Sequence, residues 1–65
     1  MIMKTYIIHD YDSNYKLEIE TDWTNPEIAD LFMAEDIEEM DKLKVGESYE
    51  VAGSGVILEV VTRVK

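Results

Sequence analysis

Between Glu18 and Asp41 the chain carries ten acidic residues and neither a Lys nor an Arg. They are Glu18, Glu20, Asp22, Glu27, Asp30, Glu35, Asp36, Glu38, Glu39 and Asp41. This stretch holds −10 of charge while the other 41 residues sum to +1, so it accounts for the whole net charge of −9. Like charges closer than a Debye length, ~8 Å at physiological salt, repel one another and weaken a small fold. A chain that accepts such clustering has a use for the field, and a basic partner is the natural one.

Sixty-five residues specify one small domain, residues 1–65. A core of this size rarely supplies more than ~3–5 kcal/mol. With no cysteine, neither a disulfide nor a thiolate-zinc site adds to it. A hydrophobic content of 46% still argues for a packed fold rather than an acidic disordered tail. No signal-peptide pattern and no run of ~18 apolar residues is present, so a cytoplasmic protein is expected. At a pI near 4.2 the chain is expected to be repelled by nucleic acid and by anionic membranes.

The apolar pattern predicts two hairpins around a helical segment. Ile2–His9 reads as a first strand, Asp10–Asn14 as a turn rich in Asp, Ser and Asn. Tyr15–Thr21 is a second strand, with Tyr15, Leu17 and Ile19 on one face and Lys16, Glu18 and Glu20 on the other. Thr24 and Glu27 fit a capping box before Pro26, with Asn25 as the competing cap. Trp23 and Ile28 stand where a hydrophobic staple closes. Beyond the cap, Ile28, Leu31 and Phe32 form one apolar stripe, and Met33, Ile37 and Met40 form a second. The two are rotated by more than ~90° at 100° per residue, so no straight helix buries both. A break is expected near Ala34–Asp36, with Asp36 as a new cap and Ile37, Met40 and Leu43 buried. Gly46 closes the helical region. Ser48–Ala52 and Val56–Val64 are the third and fourth strands, joined by Gly53-Ser54-Gly55. In the last strand Val56, Leu58, Val60 and Val64 share one face; Ile57, Glu59, Val61 and Arg63 share the other. The fold class is α+β: a four-stranded, mostly antiparallel sheet flanking a bent or broken helical segment, in the order ββα(α)ββ.

Catalytic and metal chemistry find little support. Asp10, Asp12 and Asn14 have the spacing that opens a calcium loop, but Tyr15 stands where that loop needs Gly and Thr21 where it needs Glu. His9, the only histidine, has no nucleophile or orienting group beside it. Gly53-Ser54-Gly55 is too short for a nucleophile elbow and precedes a strand, unlike a phosphate loop. Tyr6, Tyr11, Tyr15 and Tyr49 interleave with acids, whereas base-stacking aromatics line cationic grooves. The expectation is a protein without enzymatic activity, metal or cofactor.

The acidic run is weighed against a merely solvated surface. Stable exposed helices tend to interleave Glu with Lys at i+4, whereas the run from Glu18 to Asp41 contains no compensating base. Its neighbours Glu35–Glu38, Glu35–Glu39 and Glu38–Asp41 each cost ~0.2–0.5 kcal/mol on a helix. Helical rise places the carboxylates at spacings comparable with duplex DNA, one charge per ~1.7 Å of axis. No motif places the chain in a family residue by residue. In size, acidity and lack of catalytic groups it is similar in general character to small virus- or phage-encoded inhibitors acting as nucleic-acid decoys, the anti-CRISPR and anti-restriction class. The resulting expectation is a monomer or weak homodimer whose ten acids occupy the basic DNA- or RNA-binding surface of a larger protein. The alternative is a structural or assembly module working through a sheet edge or a homodimer interface, motivated by Ile57 and Val61.

Overall fold

The chain runs β1 (Lys4–Asp10), β2 (Lys16–Thr21), α1 (Pro26–Ala29), α2 (Ala34–Asp41), β3 (Ser48–Gly53) and β4 (Val56–Arg63). A computed structural model describes residues 2–53 and 55–65 of the protein. The four strands form one antiparallel sheet in the order β2-β1-β4-β3, so the first and last strands lie in its middle. The α+β class and the ββα(α)ββ order read from the sequence are those observed.

Directly opposed residues in a sheet share a face, so the register fixes which side chains meet the helices. Tyr6 opposes Ile19 and Arg63, Ile8 opposes Leu17 and Val61, and Tyr49 opposes Val61. This face carries the core: Tyr6, Ile8, Val51 and Val61 from the strands, and Met40 from α2. Ile19, Trp23, Phe32, Ile37, Leu43 and Tyr49 pack around it, half-buried. Val61 is fully buried there, which removes it from the exposed second face that the assembly-module alternative assumed. The other face of the sheet, with Ile7, His9, Val60 and Thr62 in its middle, has no helix over it among the described residues.

Strand β1 begins at Lys4, two residues later than its apolar run, because β2 ends at Thr21 opposite Lys4. Ile2 and Met3 have no such partner on β2 and are exposed. The hairpin turn is built from short polar side chains, as its composition requires. The Asp12 amide donates to Asp10 Oδ1 at 3.1 Å and the Tyr15 amide to Ser13 Oγ at 3.1 Å.

The helical segment differs from expectation at two points. The cap of α1 is Asn25, whose Oδ1 accepts from the Glu27 amide at 3.0 Å, and not Thr24. Thr24 is engaged elsewhere: its hydroxyl and its amide both donate to Asp22 Oδ1, at 2.6 and 3.0 Å. The break falls between Asp30 and Met33, earlier than Ala34–Asp36, and α2 starts at Ala34 with Met33 as an uncapped N-terminus. Asp36 is therefore inside the first turn of α2 rather than its cap. The earlier break frees Phe32 from the helical repeat and lets it meet the Trp23 ring edge-on at 5.9 Å. Trp23 also lies 5.1 Å from Tyr6, so the aromatic contacts of this residue run to β1 and Phe32. Its φ of +70°, unusual for a side chain of this size, is held by that packing and by the hydrogen bond its backbone N–H donates to Oγ1 of buried Thr21 at 2.8 Å.

Gly46, at φ +91°, turns the chain from the end of the helical region into β3. Strand β3 extends one residue beyond expectation, to Gly53; of the expected Gly53-Ser54-Gly55 connection, Ser54 lies outside the described residues. A register shift makes Val51 oppose Glu59 but Ala52 oppose Ile57, leaving Leu58 as the extra residue of a bulge. The Leu58 carbonyl accepts from the Tyr11 amide at 3.0 Å, tying the bulge to the first hairpin turn.

Met40 is the only fully buried side chain contributed by either helix. Its truncation should be severe. Met40→Ala is expected to cost about 2–5 kcal/mol, most of what a core this size supplies, and urea titration followed by circular dichroism will measure it.

Candidate protein-binding surface

An eight-residue helix with five carboxylates must turn its few apolar side chains inward and its acids outward. Met40 and Ile37 seat α2 on the sheet, which leaves Glu35, Glu38 and Glu39 as its outward row at i, i+3 and i+4. All three are exposed. Asp36 lies on the flank toward β3, where its Oδ1 accepts from the Tyr49 hydroxyl at 2.6 Å. Glu27 and Asp30, both exposed, belong to α1 and its C-cap.

The structure divides the ten acids between the two sides of the molecule. Glu18 and Glu20 oppose Ile7 and Thr5 and so project from the uncovered face of the sheet. The acids of α1 and α2 belong to the helical layer on the other face. Glu50, outside the run, joins Glu18 and Glu20 on the uncovered face because it opposes Val60, which opposes His9. Thirty residues of sequence separate it from Glu20, and only the strand register brings it in.

Among the described residues, two of the ten acids have side-chain cations within ion-pair distance. Lys4, from β1, reaches Asp41 at 3.1 Å, and Lys42 lies 3.7 Å from Glu38 across an exposed i,i+4 pair. An exposed pair of that kind contributes ~0.3–0.5 kcal/mol at most, so Glu38 stays accessible to a competing cation. Asp22 is occupied differently: the Thr24 hydroxyl, aided by the Thr24 amide, holds its carboxyl below the usual carboxylate value. The least neutralised row of carboxylates in the helical segment is thus Glu35, Glu38 and Glu39 on α2, while Glu27 and Asp30 are exposed on α1 and at its C-cap. Asp41, Asp22 and Asp36 are already engaged within the fold. Among the described residues, no group of three or more His, Cys, Asp or Glu has the arrangement to hold a metal ion. No helix among them is long and apolar enough to cross a membrane.

Comparison with protein-family models, with curated proteins and with solved structures finds no match to this chain. The functional reading therefore stands on the surface just described.

The Tyr49–Asp36 bond has a measurable signature. Donation to the Asp36 carboxylate pushes the Tyr49 phenol up from 10.0 to about 12. Because the folded value is the higher one, the bond contributes its full stability below pH 10 and loses it as the pH rises toward 12. Ultraviolet titration of tyrosinate should show one late component near pH 12 that Tyr49→Phe removes. An unchanged titration curve would place the hydroxyl away from Asp36.

Proposed function

We propose that this protein is a non-enzymatic inhibitor that lays the outer row of α2 against the basic nucleic-acid-binding surface of a larger protein. The observation that carries the reading is the row Glu35, Glu38 and Glu39, exposed on one helix face with a single long ion pair to Lys42. Glu27 and Asp30, exposed on α1 and at its C-cap, together with Glu18, Glu20, Asp22, Asp36 and Asp41, add to the field. Carboxylates on a helix face repeat at intervals comparable with phosphates on a duplex, which is what a Lys/Arg-lined channel is built to accept. Restriction, CRISPR or other cytoplasmic nucleic-acid machinery is the class of target. Electrostatic complementarity of this sort acts through the association rate and is sensitive to salt.

A partner captured from host lysate should be released by duplex DNA. Its affinity should fall about tenfold or more between about 0.05 and 0.3 M salt. Reversing charge at Glu35, Glu38 and Glu39 together should abolish capture, with a triple Gln variant confirming that the fold is retained or steadier. Capture unchanged by the reversal rejects the reading.

The second reading, an assembly module acting through a sheet edge or as a homodimer, is favoured by one feature. The uncovered sheet face leaves Ile7 and Val60 only half-buried. Light scattering separates the two: a dimer whose mass is insensitive to salt supports the module, and a monomer supports the inhibitor.

A further inference from the structure

A concavity among the described residues lies away from the acidic row. It is a groove of about 260 Å³ between the first hairpin and the turn that follows α1. Ile8 and Phe32 line its inner part, and the exposed side chains of Tyr15, Leu17 and Leu31 line its outer part. Two carboxylates, Asp10 and Glu59, complete the lining. They come from neighbouring central strands, where they stand directly opposite one another on the helix-bearing face.

Carboxylates at directly opposed positions of an antiparallel pair repel each other. Neither Asp10 nor Glu59 has a Lys, Arg or His within ion-pair distance among the described residues. Asp10 Oδ1 accepts one bond, from the Asp12 amide at 3.1 Å, and its second oxygen has no hydrogen-bond donor among the described residues. The groove is smaller than the ~300 Å³ at which cofactor and drug-sized pockets begin, so its scale is that of a side chain. The chemistry is equally narrow. Apolar walls suit an aliphatic stem, paired acids suit a cationic head, and the Tyr15 ring beside them suits a planar one. Arg meets all three requirements, because its guanidinium forks between carboxylate oxygens and stacks on aromatic faces, whereas Lys offers a point charge.

We propose that this groove is the anchor site for one arginine of the partner protein, carried on an otherwise apolar segment. The proposal rests on the reading that the partner is basic, but it assigns the anchoring contact to residues outside the acidic run. Long-range attraction then belongs to α2, and the specific seat belongs to Asp10 and Glu59. A desolvated arginine in a pocket surrounded by weaker contacts is the usual form of an interface hot spot.

The test needs no identified partner. Acetyl-leucyl-arginine amide, titrated into nitrogen-15-labelled protein, should give saturable amide shifts at Asp10, Tyr15, Leu31 and Glu59. The citrulline analogue, which keeps the shape but lacks the charge, should bind about tenfold or more weakly, and so should the Asp10→Asn/Glu59→Gln double variant. That variant removes an internal repulsion, so its thermal midpoint should hold or rise. Shifts centred on Glu35–Glu39, equal binding of the citrulline analogue, or no saturation would each overturn the proposal. A salt-insensitive dimer abolished by Leu31→Ser would also overturn it, since a second copy would then fill the groove. Failure of the α2 charge reversal to affect capture would leave this titration untouched. Failure of the titration would likewise leave the α2 reading standing.

Discussion

The carbonyl end of α2 is where this fold is held together. Three side chains from the two central strands reach it: the Tyr6 hydroxyl donates to the Met40 carbonyl at 3.4 Å, Lys4 Nζ to the Asp41 carbonyl at 2.6 Å, and Arg63 Nη1 to the Leu43 carbonyl at 2.9 Å. The last carbonyls of any helix lack partners within the helix and carry the negative end of its dipole, so two cations and a hydroxyl are apt ligands. Without them α2 has little reason to exist. Eight residues are far below the ~12–15 at which an isolated helix becomes even marginal, and five of these eight are acids. The sheet thus imposes helicity on a segment that would otherwise repel itself into coil.

That arrangement also sorts the charges. Half of the chain's six basic residues approach the helical end of the molecule: Lys4 at Asp41, Lys42 at Glu38 and Arg63 at Leu43. The face of α2 turned to solvent keeps its carboxylates with little neutralisation, and structural and interactive acids become distinguishable. Asp22 and Asp36 serve local geometry, Asp41 serves attachment, and Glu35 and Glu39 hold no ion pair among the described residues, while Glu38 has only its exposed one to Lys42. A row of carboxylates that contributes so little to its own fold is free to meet a cation from outside. Glu18 and Glu20 share that independence but lie across the sheet, so a single flat partner would not touch both groups.

Much of the architecture was legible because strands of this type declare themselves by alternation and by the Gly and Asp/Asn turns between them. The interrupted helix was legible too, from two apolar stripes that no single straight helix can bury. What eluded the sequence had a common cause, competition from residues outside the local window. Thr24 looked like the better cap until Asp22 claimed both its hydroxyl and its amide. The break moved upstream because Phe32 finds Trp23, and local spacing does not reveal that contact. Periodicity divides β4 into two faces without saying which one meets the helices, so the pattern alone does not show that Val61 is core. The pairing of Lys4 with Asp41 spans 37 residues, and the approach of Asp10 to Glu59 depends on strand order, which the pattern left open.

The Tyr6 hydroxyl has two roles: it accepts from Trp23 Nε1 at 3.3 Å while donating to the Met40 carbonyl. Trp23 is the sole indole in the chain. Its emission is therefore wired, through one phenol, to the seating of α2 upon the strands. Nature has supplied this molecule with its own optical gauge, and any event that lifts or tightens the helix should be visible as a colour or intensity change without a label.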